Sequence, residues 1–594
     1  MSEKVENGTY TVNKSNPAMQ AYYQSVLELT PEDFSAYWSS LQEQLPVTFR
    51  VNPLHTNYAS LVSSFASEDF LSGLLSSTSS IKLKPINWYP NSLAWQVNST
   101  RSELRKQENI KQFHSFLQKA NDSGLITRQE LVSMIPPLVL QPDLNDRIID
   151  MCAAPGSKTA QLIELMHGSG LVVANDVDTN RAYMLIHQLH RSNTSSMVVV
   201  NHQAQNFPKI NFQFDKVLCD VPCSGDGAIR KIPSKWRKWK VKDGQSLHAL
   251  QISIFRRGVQ LVKPGGYICY STCSLNPIED EAVVNVVAKE FDLEIVDLSE
   301  MLGRLCPGLI VRRGQRTWKV LGNAKDKENG AFVEYVNFGD VPESITSIKS
   351  TMFPVDVVEG IENTIKVFPH DQNTGGFFIG LFKKRSGIVR EVVVEGDVED
   401  VPVENPEKPK KKRKILDVEQ PLYVPLESHE DKENIASVFG IEAHPMELLL
   451  TPLTKNFKNL FFVSPEAKEF LDKEETKKLK ILNVGVCAFT KNKHGPSKAV
   501  SKYRPHQNAL PFISKFITKN RVFTENITLL KDLLKNSGFE TEAYRDLGLG
   551  YYVMKFLTIN EEVLVLKVAE TKFQTVIPRE HIDSLYIRYP DLSL

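Results

Sequence analysis

An alternation of short apolar runs with amphipathic stretches constrains this chain most. From residue 147, RIIDMC reads as a buried strand and SKTAQLIELMHG as a helix. LVVAND then reads as a strand, NRAYMLIHQLHRS as a helix, and MVVVN and FDKVLCD as strands. SLHALQISIFRRGVQLV reads as a helix, GYICYS as a strand and EDEAVVNVVAKEF as a helix. Strands that are apolar throughout must be covered on both faces, which helices between parallel strands provide. The pattern therefore predicts an α/β core with a mostly parallel, doubly wound, Rossmann-like sheet over 141–385, ending near Lys384.

The 594 residues are too many for that core alone. Residues 1–45 read as a helical segment, with Thr30 as N-cap and Pro31 in the first turn. Residues 46–140 read as an α+β region: strand-like VTFRVNP, INWYP and LAWQV, then a helix over TRQELVSMIPPLVL. Residues 386–421 are a charged linker, running from acidic EVVVEGDVEDVPVENPE to a basic cluster. Residues 422–594 regain globular composition (KILNVGVCAF, YYVMKFL, VLVLKVA) and read as a separate small α/β domain. No repeat of 20–50 residues is visible.

Lys and Arg number 71 against 70 Asp and Glu, so a nucleic-acid partner would require a local basic surface. Of seven cysteines, five fall between 152 and 273, which fits a reducing compartment and a chemical site better than a disulfide framework. The polar start MSEKVENGTY lacks a signal core, and no apolar run approaches the ~18 residues that span a bilayer.

The segment Asp150-Met151-Cys152-Ala153-Ala154-Pro155-Gly156-Ser157-Lys158-Thr159 joins the first core strand to its helix. Open α/β sheets bind ligands at that edge, and the small residues allow close approach of backbone. Asp176, at the end of LVVAN, is placed to accept from both hydroxyls of a ribose. The loop is neither GxGxxG nor GxxxxGK[ST]. A nucleoside ligand without pyrophosphate, such as S-adenosylmethionine, fits it, although the loop alone also reads as an ordinary tight turn.

Cys223, in Asp220-Val221-Pro222-Cys223-Ser224-Gly225, and Cys273, in Ser271-Thr272-Cys273-Ser274, each follow a strand at that same edge. C5 of cytosine is too weakly nucleophilic to take a methyl group from a sulfonium. A thiolate adding to C6 makes C5 enamine-like, an acid near N3 stabilises the adduct, and a base must then remove the C5 proton. A thiol of pKa near ~8.5 needs help to ionise. Cys152, Cys219 and Cys269 read instead as small buried hydrophobes.

DMCAAPGSKT, NDV, DVPCSGDG and STCSLNPIEDEAVV, with FRVN, WYPNSLAWQ, TRQELVSMIPP and FPHDQNTGGFF, resemble the motifs of the Sun-domain RNA cytosine-5 methyltransferases. Within them the chain is similar to the eukaryotic tRNA enzymes of the NSUN/Trm type, over roughly residues 15–385. The resemblance implies that Cys273 is the nucleophile adding to C6 and that Cys223 assists product release. It implies that Asp220 contacts the cytosine edge or the methyl-donor side and that Lys158 lines the site near the base. Residues Cys152, Ala153, Ala154, Pro155, Gly156, Ser157 and Lys158 would wrap the methionine part of S-adenosyl-L-methionine, and Asp176 its ribose. After MVVVN the family commonly has His-Asp, the acid serving adenine; here His202-Gln203 stands in that place, and a neutral Gln203 implies weaker adenine selection.

RNA contacts are expected from Arg230, Lys231, Trp236 and Lys238, in a stretch of six basic and two Trp residues in eleven, and from Arg50 and Asn52 of the α+β region over 46–140, which is expected to bind RNA. The run Lys408–Lys414 reads as a nuclear localisation signal, with a phosphate-binding arm as the other reading. In the family's tRNA enzymes the C-terminal region resembles a PUA-type RNA-binding module. The expectation is a nuclear, monomeric tRNA cytosine-5 methyltransferase using S-adenosyl-L-methionine, with neither metal nor membrane. Its alternatives are a ribosomal-RNA enzyme of the same chemistry and a catalytically idle RNA-binding protein on this fold.

Overall fold

A computed structural model describes residues 5–6, 9–10, 13–67, 70, 74, 81–106, 110–323, 332–389, 423–453, 457–492, 502–518, 522–525, 527–536, 550–556, 562–568, 573–589 and 592. The basic run at 408–414 lies outside them.

After a short antiparallel pairing of Val5–Glu6 with Thr9–Tyr10 come two helices, α1 (Pro17–Val26) and α2 (Pro31–Leu41). The Thr30 side chain accepts from the Asp33 N–H, the N-cap the sequence predicts. A four-stranded antiparallel sheet follows, formed by β1 (Pro46–Val51), β2 (Leu83–Pro85), β3 (Ala94–Thr100) and β4 (Ile126–Arg128) in the order β2-β3-β1-β4. A short helix, α3 (Arg101–Lys106), directly continues β3. The helix predicted over 127–140 is shorter than expected. Thr127 and Arg128 pair with β1, a 3-10 turn spans Val132–Met134, and α4 covers only Ile135–Leu140.

The core sheet has ten strands. Its parallel centre is β5 (Arg147–Asp150), β6 (Leu171–Asn175), β7 (Met197–Val200), β8 (Phe214–Asp220) and β9 (Val262–Thr272), in the order β9-β8-β5-β6-β7. Helices α5 (Ser157–Leu165), α6 (Thr179–His190), α7 (Val241–Leu261) and α8 (Glu281–Glu290) link or follow these strands. Successive strand residues enter two different cores. Ile149, Val173, Val198 and Val217 pack with Phe255 and Val259 of α7 on one face. Ile148, Val172, Val199 and Leu218 pack with Leu162 of α5 and Leu185 of α6 on the other. Burial on both faces is why these strands are apolar without alternation.

Beyond β9 the sheet becomes antiparallel, through β10 (Ile365–Val367) and β11 (Phe377–Val389). The last core strand thus runs past residue 385.

The region after 422 is not separate from this core. Its strand β12 (Ile481–Val484) lies antiparallel to β7, pairing Ile481 with Val200 and Val484 with Val198. The outer strand of a parallel sheet presents unpaired backbone groups, and β12 satisfies them. Phe470 packs edge-on against Phe212 at 4.9 Å, and Ser464 Oγ donates to the Gly170 carbonyl at 2.7 Å. Two further sheets, of five and four strands, complete the C-terminal part.

Among the described residues no helix is long and apolar enough to cross a membrane, and no cluster of three His, Cys, Asp or Glu side chains suits a metal ion.

Candidate active site

Parallel strands β8 and β9 are neighbours, with Asp220 opposite Ser271 in their register. The loops leaving them therefore emerge side by side at the carboxyl edge. Cys223 Sγ and Cys273 Sγ lie 3.3 Å apart there, both half-buried. Asp220 takes one hydrogen bond from Ser271 Oγ at 2.8 Å and an ion pair from Lys158 Nζ at 2.8 Å. Lys158, from the start of α5, also donates to Ser133 Oγ at 3.0 Å and stands over the Phe377 ring at 5.1 Å.

Burial works against the charge of Lys158. The attraction and hydrogen bond of Asp220 outweigh it, Cys273 adds to them, and the net effect raises the ammonium pKa. A fixed cation thus stands within reach of Cys273. The Cys223 thiol is pushed well above its ordinary value, first by its hydrogen bond with Cys273 and then by burial. Cys223 stays protonated at neutral pH and can donate toward its partner sulfur.

Buried acids lock the two loops together beneath the sulfurs. Glu279 accepts from Ser224 N–H at 2.7 Å and from Ser274 Oγ at 2.8 Å, so one carboxylate holds both cysteine loops. Asp226 accepts from Ser224 Oγ at 2.8 Å and from Leu275 N–H at 3.0 Å. Burial, then the neighbouring Asp226 charge, raises the Glu279 pKa. Gly225, at φ +68, adopts the left-handed backbone this turn needs, and Lys235 Nζ donates to the Ser224 carbonyl beside it.

On the other side of β5, the loop from Cys152 to Ser157 runs over the ends of β5 and β6. Ala153 and Ala154 are buried, and Gly156, at φ +109, opens α5. Asp176 accepts from the Ala154 N–H at 3.2 Å and the Asp178 N–H at 3.0 Å, which fixes its carboxylate beside the loop. Gln203 is exposed, its Oε1 accepting from Asn206 Nδ2 at 3.0 Å. Lys480, just before β12, donates its N–H to His202 Nε2 at 2.8 Å and so braces the segment that follows β7.

Asp150 ends β5 with one oxygen bonded to Thr159 Oγ1 at 2.8 Å; the other is buried with no side-chain partner among the described residues, the Cys152 N–H being its backbone neighbour. Burial pushes its pKa up to about 7, opposed by the Thr159 bond and assisted by the Asp220 charge. The ammonium of a methionine-like ligand supplies the donors and positive charge that such an oxygen lacks, so these residues fit S-adenosylmethionine.

Four residues expected to contact RNA are structural instead. Arg50 is 1% exposed; its guanidinium pairs with Glu164 and bonds Gln129 Oε1 at 2.6 Å. Asn52 is equally buried and donates to the Gly124 carbonyl at 3.0 Å. Arg230 is buried, bonding the Thr374 carbonyl at 2.8 Å and Asn373 Oδ1 at 2.6 Å. Trp236 is 1% exposed and packs with Trp239, Tyr22 and Tyr37, joining α1 and α2 to the catalytic core. Lys231 and Lys238 are exposed. Conversely, the sequence reading passed over Glu279, Asp226, Ser271 and Lys235. Glu279 carried a signal, since it is an acid directly after the apolar Ile278 in the cysteine motif.

The family pattern described as "16S rRNA methyltransferase RsmB/F" matches residues 137–305, and the one described as "NSUN2 Pre-PUA domain" matches 421–518. A "tRNA (cytosine(34)-C(5))-methyltransferase" of Drosophila melanogaster is 34% identical over 92% of this chain and 81% of its own length. The chain belongs to the RNA cytosine-C5 methyltransferase family. Another relative of this methyltransferase, a "Multisite-specific tRNA:(cytosine-C(5))-methyltransferase" of Saccharomyces cerevisiae, is also 34% identical, over 88% of the chain and 79% of its own length. A mouse "28S rRNA (cytosine-C(5))-methyltransferase" is 30% identical over only 45% of the chain and 29% of its own length.

Proposed function

We propose that this methyltransferase forms 5-methylcytosine in tRNA. The observation that carries the reading is the 3.3 Å pair of sulfurs, Cys223 and Cys273, beside the Lys158–Asp220 ion pair. When bound, S-adenosylmethionine supplies a methyl group activated on a sulfonium. The loop Cys152–Ser157, Asp150, Asp176 and Gln203 hold it.

Cys273 is the nucleophile. Its sulfur, as the thiolate, bonds to C6 of the cytosine. Asp220, held by Lys158 and Ser271, faces the cytosine edge and steadies the charge that develops on the ring. Once C5 carries both its proton and the new methyl group, a base takes that proton and the C5–H electron pair restores the C5=C6 double bond. The C6–S bond then breaks and its electron pair returns to Cys273. Cys223 assists this release from its position against the same sulfur.

The tRNA-type relatives match almost the whole chain, whereas the rRNA-type relative matches less than half. Together with the pre-PUA match, this supports tRNA over rRNA as substrate. The residues beyond 518 fit a PUA-like extension of it, and the run Lys408–Lys414 supports nuclear import.

Bisulfite sequencing of RNA from cells lacking the protein tests the reading. Loss of 5-methylcytosine from tRNA with rRNA sites intact is expected. Loss confined to rRNA would overturn the substrate, and no loss in either would overturn the activity.

A further inference from the structure

Strand β12 joins the core sheet antiparallel to β7, so its start, not its end, reaches the carboxyl edge where the Cys152–Ser157 loop lies. Lys480, the residue before it, is tied to the end of β7 at three points. Its carbonyl accepts from the Asn201 N–H at 3.0 Å, its own N–H donates to His202 Nε2 at 2.8 Å, and its Nζ donates to Asn201 Oδ1 at 2.7 Å. Burial, then the Lys480 charge, holds the His202 pKa below its ordinary value, so the ring is neutral at pH 7 and can accept.

Asn201 is buried, and its amide reaches across to the neighbouring strand. Nδ2 donates to the Asp176 carbonyl at 2.7 Å and to the Val177 carbonyl at 3.0 Å, while Oδ1 also takes a bond from Thr179 Oγ1 at 3.1 Å. One side chain thus grips the turn that carries Asp176 into α6. A side-chain amide has a donor end and an acceptor end of nearly equal size, so something must decide which faces the turn. An ammonium only donates. Lys480 at Oδ1 therefore fixes Nδ2 toward the two carbonyls; the reversed amide would set its oxygen against them and its N–H groups against a cation.

We propose that Lys480, from the C-terminal region, is a positioning residue for S-adenosylmethionine: through Asn201 it sets the turn that holds Asp176 for the ribose. The inference rests on the assignment of the ribose to Asp176 made above. Lys480 touches none of the reacting atoms. Its side chain is exposed, so replacing it removes a donor and little packing. The catalytic core, contiguous in sequence up to β11, thereby takes part of its cofactor edge from a residue of the region beyond 422.

Isothermal titration of the full chain with S-adenosylmethionine and with S-adenosylhomocysteine tests this, beside the thermal midpoint of the ligand-free protein and steady-state tRNA methylation. Lys480→Met is expected to weaken both ligands equally, since both carry the ribose, and by about fivefold, the low end of coupling between distinct sites. KM for S-adenosylmethionine should rise by the same factor while kcat stays within about twofold. The thermal midpoint should not move. Lys480→Arg, which keeps a cationic donor, is expected to retain most of the affinity. Lys478→Met, exposed and two residues earlier, is expected to change nothing. Unchanged affinity in Lys480→Met would overturn the proposal. So would a lower thermal midpoint accompanying the loss, an Arg variant as weak as the Met one, or an equal loss from Lys478→Met. Asp176→Ala separates the two levels. If it binds like the wild type, the ribose assignment fails. If it binds weakly while Lys480→Met binds normally, that assignment stands and the role of Lys480 alone fails.

Discussion

Glu279 holds Ser224 and Ser274 with one carboxylate, and so fixes the spacing of the two loops that carry Cys223 and Cys273. The loops leave adjacent parallel strands, but adjacency alone sets strand separation at about 4.8 Å and leaves side-chain placement open. The carboxylate, with Asp226 beside it, closes that freedom and sets the sulfurs 3.3 Å apart. Catalysis of this kind depends on position more than on binding, because attack at C6 and release from C5 share one small volume.

Glu279→Gln should therefore damage turnover more than substrate binding. The new amide group faces hydroxyl and N–H donors that need an acceptor. A fall in kcat of about 10²-fold is expected, the cost of a misplacement near 1 Å. KM for tRNA should stay within about threefold. Steady-state methyl transfer checks this, and an equal rise in KM with intact kcat would contradict it.

Trp236→Ala should lower stability by about 3–5 kcal/mol, the usual result of removing a fully buried large aromatic. Trp236 meets Trp38 edge-on at 5.2 Å and lies in the core that docks the N-terminal helices. Denaturant unfolding measures the loss. Weakened RNA affinity in the folded variant, with stability unchanged, would restore the stacking role that its burial excludes.

Arg50→Ala should cost about 3–5 kcal/mol as well, because it strands the Glu164 carboxylate in the interior. The double replacement Arg50→Met/Glu164→Leu should recover much of that loss, since an apolar pair removes both buried charges. A double-mutant cycle by chemical denaturation decides it.

Asp150 gives stability a defined pH dependence. Its pKa is raised from the unfolded value near 3.9 to about 7 in the fold. Its contribution is complete below the unfolded value and is lost as pH rises through about 7. The thermal midpoint of the ligand-free protein should therefore lose, between about pH 4 and pH 7, a component that Asp150→Asn lacks. Identical curves for the two proteins would exclude Asp150 as the source.

Gln203→Asp should tighten S-adenosylmethionine binding about fivefold. A charged acceptor typically contributes about 1 kcal/mol more than a neutral one. Isothermal titration reads the change directly, and unchanged affinity would show that Gln203 does not serve adenine.

The catalytic sheet was legible because burial on both faces leaves a simple mark: Ile148 and Ile149, or Val172 and Val173, are apolar together while serving opposite cores. The cysteines were legible because Pro, Ser and Gly surround them in loops. What the local pattern hides is distant pairing. Arg50 meets Glu164 across the fold, and nothing near FRVN announces that partner. The segment around Trp236 is amphipathic, so the same letters describe a base-stacking surface or, as found, buried tryptophans with Lys238 outside. Strand ILNV carries no sign that it completes the core sheet, pairing with Val200, some 280 residues earlier, rather than within its own region.

The direct measurement is a denaturing gel of the protein incubated with S-adenosylmethionine and tRNA. Cys223→Ala should accumulate a covalent protein–RNA band, because Cys273 attacks and release fails. Cys273→Ala should show neither band nor methylation. A covalent band from Cys273→Ala, with none from Cys223→Ala, would show that the two sulfurs hold each other's roles.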